Sequence, residues 1–212
     1  MMVRYDKDSL HLGCDAVAAI DGDLKKIITT LGYPPLWVRP NTFATLVLTI
    51  LEQQVSLASA YAAYKKLNEK VQAITPQAVL ELTDADLRDC YFSRQKTGYV
   101  RSLAAALLNK ELNLAALHNE PDAVVRNTLK KLKGIGDWTV DIYLIHALQR
   151  TDVFPTGDLA LVNALRMVKQ LPANVSKEDL LQLAERWRPN RTFATLLLWH
   201  YYIQTRGLKP GS

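Results

Sequence analysis

Apolar residues recur at helical spacing along almost the whole chain. Phe43, Leu46, Val47, Ile50 and Leu51 stand at i, i+3, i+4, i+7 and i+8, one face of a 3.6-residue repeat, and Asn41 or Thr42 is placed to cap that helix. A second stripe, Leu57, Ala60, Tyr61, Tyr64 and Leu67, follows a cap at Ser56. Glu52, Gln53, Gln54 and Val55 are left between them as a polar joint. Thr75-Pro76 is a cap with proline at the first helical position, and Thr83 and Ser93 open further short helices. Residues 119–132 and 137–149 read as two helices around a tight turn, Lys133-Gly134-Ile135-Gly136. The second carries Val140, Tyr143, Leu144, Ala147 and Leu148 on one face. After an extended piece at 152–156, a helix beginning near Gly157-Asp158 carries Leu161, Val162, Leu165 and Val168. Ser176 with Glu178 and Asp179 opens a helix reaching Trp187, and Pro189-Asn190 restarts the chain for 192–204. No run alternates with period two and no segment repeats, so the pattern predicts an all-α chain of roughly ten helices joined by short loops.

The 212 residues suit one large domain or two closely packed lobes, enough to bury a core without staples. Hydrophobic residues at 49% against 22% charged exclude a disordered or low-complexity chain. Cys14 and Cys90 are too few for a disulfide framework or a four-thiolate cluster, and no Cys/His pair has zinc-ligand spacing. A reduced, cytoplasmic protein is expected. The N-terminus shows no export signal, and the apolar runs at 42–51 and 192–204 fall short of the roughly 18 residues that span a bilayer. No membrane partner is expected.

Charge adds a hint through its distribution. The net charge is +5. Asp6, Asp8, Asp15, Asp21 and Asp23 make the first stretch acidic, whereas Arg126, Lys130, Lys131 and Lys133 precede Gly134 with no acid among them. Such a run is usually a solvated helix face; it also suits a polyanionic partner.

Two glycines around one apolar residue let the backbone turn tightly, and the amides of Gly134, Ile135 and Gly136, ahead of a helix N-terminus, suit a phosphate oxygen. An αα-corner with a glycine C-cap is the plainer alternative. Asp158, after Gly157 at a helix start, reads alone as an N-cap worth about 1 kcal/mol. Trp199 lies about 100° from His200 around its helix, off the stripe of Phe193, Leu196, Leu197 and His200, whereas Trp187 continues a core stripe. Trp37 and Tyr33 are loop aromatics, packed or pocket-walling. His11, His118, His146 and His200 show no catalytic spacing.

The combination of residues 132–140 (LKGIGDWTV) with 152–158 (DVFPTGD) resembles the helix-hairpin-helix DNA glycosylase superfamily, and most nearly the bacterial 3-methyladenine DNA glycosylase II family. Residues 50–56 (ILEQQVS), 184–189 (AERWRP) and the final helix from Arg191 to Trp199 agree. The likeness covers about residues 25–205.

The resemblance implies a two-lobed helical core: one lobe over about residues 41–150 with the hairpin at 129–145, the other over about 1–40 and 151–212. It implies a monofunctional glycosylase of base excision repair, flipping and excising alkylated purines from double-stranded DNA, such as 3-methyladenine, 7-methylguanine or ethenoadenine. Asp158 is then catalytic. Trp138, Trp199, Leu159 and Trp37 form the base pocket, where indole faces reward an electron-poor base. Gly134, Ile135 and Gly136 hold the DNA backbone together with Lys133 and Thr139, and Gln54, with Gln53 beside it, fills the gap left by the flipped nucleotide. The carbonyls of Lys130, Leu132 and Ile135 hold a sodium or potassium ion. Bifunctional relatives carry an attacking lysine where Trp138 stands, so no strand cleavage is expected. No other cofactor, no iron–sulfur cluster and a monomeric state are expected, with the protein on the nucleoid when bound.

The match departs in places. Asp137 stands where relatives carry a basic or neutral residue and is placed to cap the helix from Trp138. Leu159 replaces an aromatic. Only about 40 residues precede Phe43, too few for the N-terminal β domain of longer members. Two alternatives stay open: a glycosylase for deaminated or mismatched bases, and a non-enzymatic helix-hairpin-helix module that binds DNA through the turn alone.

Overall fold

The computed structural model describes residues 4–208. Among these the chain is all α, with thirteen helices and, outside them, one isolated antiparallel bridge between Arg4 and Arg150. In order they are α1 (Lys7–Ile20), α2 (Gly22–Leu31), α3 (Phe43–Leu51), α4 (Leu57–Val71), α5 (Pro76–Glu81), α6 (Asp84–Asp89), α7 (Arg94–Leu108), α8 (Leu114–Leu117), α9 (Asp122–Leu129), α10 (Asp137–His146), α11 (Leu159–Lys169), α12 (Lys177–Glu185) and α13 (Arg191–Thr205). The excess over the ten expected comes from pieces too short to show a hydrophobic period, such as α8 with 4 residues. The helix expected over 119–132 is trimmed at both ends. Pro121 is its N-cap, and 130–136 leaves the helix for the turn. No described helix is long and apolar enough to cross a membrane.

Local side-chain capping sets most helix starts. Thr42, Ser56, Thr75, Thr83, Ser93 and Ser176 each accept the N–H three residues on. Asn41, the other candidate for α3, instead donates to the Leu114 carbonyl at 2.8 Å and accepts from the Tyr143 hydroxyl.

The described residues fall into two compact units: 4–38 with 144–208, and 39–143. In the first, α13 packs against α1, α2 and α11, and every residue from Thr192 to His200 is buried. Such a helix is apolar nearly all round, as a central core helix must be. Trp187, fully buried, donates its indole N–H to Asp21 at 3.0 Å. Asp21 caps α2 and also takes the Lys169 ammonium. Burial opposes ionisation of Asp21, but the Lys169 hydrogen bond and charge together with the Trp187 N–H hold its carboxyl below the usual carboxylate range. In the second unit α3 packs on α4 and α7, and α5 and α6 pack on α7.

Gly13 of α1 marks the tightest approach in the first unit: a Cβ there would stand 2.4 Å from the Phe193 ring. That ring is itself buried and met edge-on by Tyr5 at 5.6 Å. Gly13→Ala therefore lowers stability by about 1–3 kcal/mol through overpacking, read as a drop in Tm. A raised Tm, as helix propensity alone would give, would show that the Phe193 ring yields.

Candidate active site

Asp158 ends a buried turn. Val153, Phe154 and Pro155 are interior, and the Asp158 N–H returns to the Pro155 carbonyl at 2.9 Å. Its Oδ1 then accepts two donors, the Leu161 N–H at 2.8 Å and the Trp199 indole N–H at 3.0 Å. The capping reading of Asp158 thus holds, and the same oxygen is fixed from the core by an indole.

Trp199 is buried to 8% exposure, not turned off the core stripe as its angle suggested. With α13 buried throughout, its polar edge needs an acceptor, and Asp158 provides it. The ring stacks on His146, with centroids 5.5 Å apart and planes at 14°. His146 Nδ1 in turn lies 2.6 Å from the Trp37 carbonyl. Trp37 reaches this cluster through its backbone; its half-buried ring lies 6.5 Å from that of His200. Tyr33 stacks on His11 at 4.0 Å and donates to Asp15, away from any pocket role. Leu159 is 78% exposed, an apolar side chain displayed beside Asp158. His146 was missed from the sequence, because no spacing rule links it to Trp199 on another helix.

The remaining candidates belong to the second unit. Gly134 takes φ +88°, and a Cβ there would lie 2.1 Å from Tyr99 Cγ, so both the turn and the close ring demand glycine. Gly136 has neither constraint. Of the three amides expected to face a phosphate, that of Ile135 donates to the Leu132 carbonyl at 3.2 Å, and its side chain is buried. The turn closes on itself there, which leaves Gly134 and Gly136 as the outward candidates.

Thr139 is also corrected: it is 2% exposed, and its hydroxyl accepts from Gln53 Nε2 at 2.9 Å. The same Gln53 amide donates to the Gly134 carbonyl at 2.8 Å. Gln53 is therefore engaged inward and is no gap-filling residue. Its neighbour Gln54 is exposed at φ +56°, a left-handed conformation that presents it at the tip of the joint. Trp138, second residue of α10, is half-buried.

The basic run is weaker than it reads. Asp137, rather than acting only as a helix-start residue, accepts from Arg126 at 3.0 Å and from Lys130 at 2.8 Å; Arg126 also pairs with Asp141. The Lys130 hydrogen bond, ahead of that from Arg126, holds the Asp137 carboxyl below its usual range. Lys131 and Lys133, both exposed, carry the rest of the run's charge. The carbonyls of Lys130, Leu132 and Ile135 are hard, neutral oxygens that suit a monovalent cation better than a soft metal. Among the described residues no cluster of three His, Cys, Asp or Glu could hold a metal ion. Cys14 is a free thiol that burial pushes up to about 12.

A family model described as HhH-GPD superfamily base excision DNA repair protein matches residues 47–189. The chain is 30% identical over 209 residues to DNA-3-methyladenine glycosylase 1 of Schizosaccharomyces pombe, covering 94% of this chain and 88% of that protein. It is 26% identical over 172 residues to a DNA-3-methyladenine glycosylase of Bacillus subtilis, covering 76% of this chain and 57% of that protein. The chain thus spans under two thirds of the length of that relative. It is also similar to the crystal structure of a DNA-3-methyladenine glycosidase from Bacillus halodurans, with TM-score 0.78, 27% identity, and 97% and 95% of the two chains covered.

The two hairpin glycines separate by experiment. Gly134→Ala strains a positive φ and meets the root of the Tyr99 ring, for a loss of about 2 kcal/mol or more, whereas Gly136→Ala leaves stability within about 0.5 kcal/mol. Chemical denaturation of both variants reads the difference; equal losses would mean that the turn does not depend on the Tyr99 contact.

Proposed function

Because the chain belongs to the HhH-GPD superfamily of base excision DNA repair proteins, we propose that it is a monofunctional DNA glycosylase that flips alkylated purines out of duplex DNA and hydrolyses their N-glycosidic bond. The observation that carries this is the Trp199 indole N–H held on Asp158 Oδ1 at 3.0 Å. A backbone-binding module needs neither group, whereas a carboxylate locked at a defined point by a cap and an indole suits charge that develops during bond cleavage. The names of the relatives favour 3-methyladenine as substrate.

The chemistry follows from charge. Alkylation at a ring nitrogen leaves the purine cationic, so when the C1′–N bond breaks its electron pair neutralises the departing base. The sugar becomes oxocarbenium-like, and Asp158 stabilises it electrostatically. Water then bonds to C1′ and gives its proton to Asp158. No second acid is required for a cationic base. Trp138, standing where bifunctional relatives carry the attacking lysine, supplies no amine for a Schiff base, so the product is an intact strand with an abasic site. In the first unit Trp199 backs Asp158 and exposed Leu159 adds an apolar edge, and in the second Trp138 stands half-buried at the start of α10. Gly134, Gly136 and Lys133 take the backbone, Gln54 fills the gap, and a sodium or potassium ion on the Lys130, Leu132 and Ile135 carbonyls would stiffen the turn.

Single-turnover release of free base from methylated duplex DNA tests the assignment. Wild type releases 3-methyladenine and leaves sites that break only in alkali, and Asp158→Asn slows release by about 10²–10⁴-fold. Release at the wild-type rate by Asp158→Asn removes the carboxylate from the mechanism; breaks before alkali would make the enzyme bifunctional.

The ion pairs at Asp137 make a second prediction. Asp137→Asn frees Lys130 and leaves Arg126 on Asp141 alone, so affinity for undamaged duplex rises and the salt dependence steepens by about 0.9 in slope for each cation recruited. A salt titration that returns the wild-type slope would show that these cations do not face DNA.

A further inference from the structure

The joint between α3 and α4 is tied down residue by residue. The Leu51 carbonyl accepts the Lys96 ammonium at 2.7 Å. The Glu52 carboxylate, its side chain only 7% exposed, is gripped by both guanidinium nitrogens of Arg39, at 2.9 and 2.6 Å. Gln53 donates from one nitrogen to the Gly134 carbonyl and the Thr139 hydroxyl, at 2.8 and 2.9 Å. The next residue is Gln54, exposed and left-handed at φ +56°. Three consecutive anchors therefore run up to the first of the residues displayed to solvent at that tip, Gln54, with exposed Val55 and Ser56 after it. The third anchor differs in kind, because it runs to the hairpin turn and to the first turn of the helix behind it.

We propose that Gln53 is a positioning residue that couples the hairpin to Gln54, so that seating the hairpin on the DNA backbone and inserting Gln54 into the vacated stack form one preorganised step. This rests on the glycosylase reading above. The geometry selects an amide at position 53. The Gly134 carbonyl accepts only, and a carboxylate there would face it with no proton to give. A hydrocarbon of the same length would leave a carbonyl and a hydroxyl without their shared donor. Because Gly134 is locked by φ +88° and the Tyr99 ring, the carbonyl that Gln53 grips does not drift. Position 54 inherits that rigidity through a single peptide unit, which lowers the ordering cost of inserting its side chain.

The test uses the full chain and duplex DNA carrying 2-aminopurine beside a 3-methyladenine lesion. Stopped-flow fluorescence follows the filling of the gap, and single-turnover release follows cleavage. Gln53→Met slows the fluorescence step by on the order of tenfold, the scale of one hydrogen-bonded group lost, and Gln53→Glu does not rescue. Thr139→Val, which removes one of the two acceptors and keeps the buried shape, gives an intermediate loss and guards against misfolding of Gln53→Met. Gln53→Met combined with Gln54→Ala is no slower than Gln54→Ala alone. Multiplying defects in the double variant, or wild-type fluorescence kinetics in Gln53→Met, overturns the coupling. Wild type that releases no base overturns the glycosylase reading itself, a different result from an active wild type with unaffected variants.

Discussion

A buried indole N–H that lacks an acceptor costs about 1–3 kcal/mol, and that constraint fixes the candidate catalytic carboxylate. Trp199 sits in the helix around which the first unit packs, and its polar edge ends on Asp158. The carboxylate is thereby placed by the core as well as by its own helix cap. Trp187 and Asp21 repeat the arrangement in the same unit, with an indole donating to an aspartate that caps a helix. The two sites diverge in their surroundings. Asp21 is 3% exposed and bound to the Lys169 ammonium, so its charge is balanced inside the protein, whereas Asp158 is half-buried. One motif serves as a structural clamp, and in the other the same clamp leaves the carboxylate near solvent, where a developing positive charge can meet it.

The second unit solves a different problem, holding a basic turn in shape while spending only part of its charge on itself. Arg126 and Lys130 are drawn onto Asp137 and Asp141, while Lys131 and Lys133 stay exposed. An acid at the start of α10 looks adverse beside a phosphate, yet it favours the helix N-terminus and holds two long side chains close to the turn. Pairs of this kind near the surface contribute little stability. Their larger effect is on how much positive field the hairpin presents.

How much of this was legible in the sequence follows from the range of each interaction. Caps act over three residues, so Ser56, Thr75, Thr83, Ser93 and Ser176 could be placed from spacing alone, and the all-α class followed from periodicity. Asp158 and the hairpin glycines stood out as a motif. The partners of Gln53 lie 81 and 86 residues away, and those of His146 on other elements again. No local pattern encodes such pairings, so the motif alone puts Gln53 and Thr139 on the DNA side, whereas both face inward. The angle of Trp199 misled for a related reason. A helical wheel assumes that one side of a helix is wet, and α13 has no such side between Thr192 and His200.

Gly134 and Gly136 look equivalent in the motif and are not. Only Gly134 needs a left-handed backbone, and only there does an aromatic ring occupy the space of a side chain. Tyr99 thus acts as a template for the turn, with Gln53 fastening the carbonyl on the same residue. A turn fixed at one glycine by a ring and a hydrogen bond can leave the other glycine unconstrained. A backbone amide that approaches a phosphate closely requires that combination: rigidity behind the turn, and no side chain in front of it.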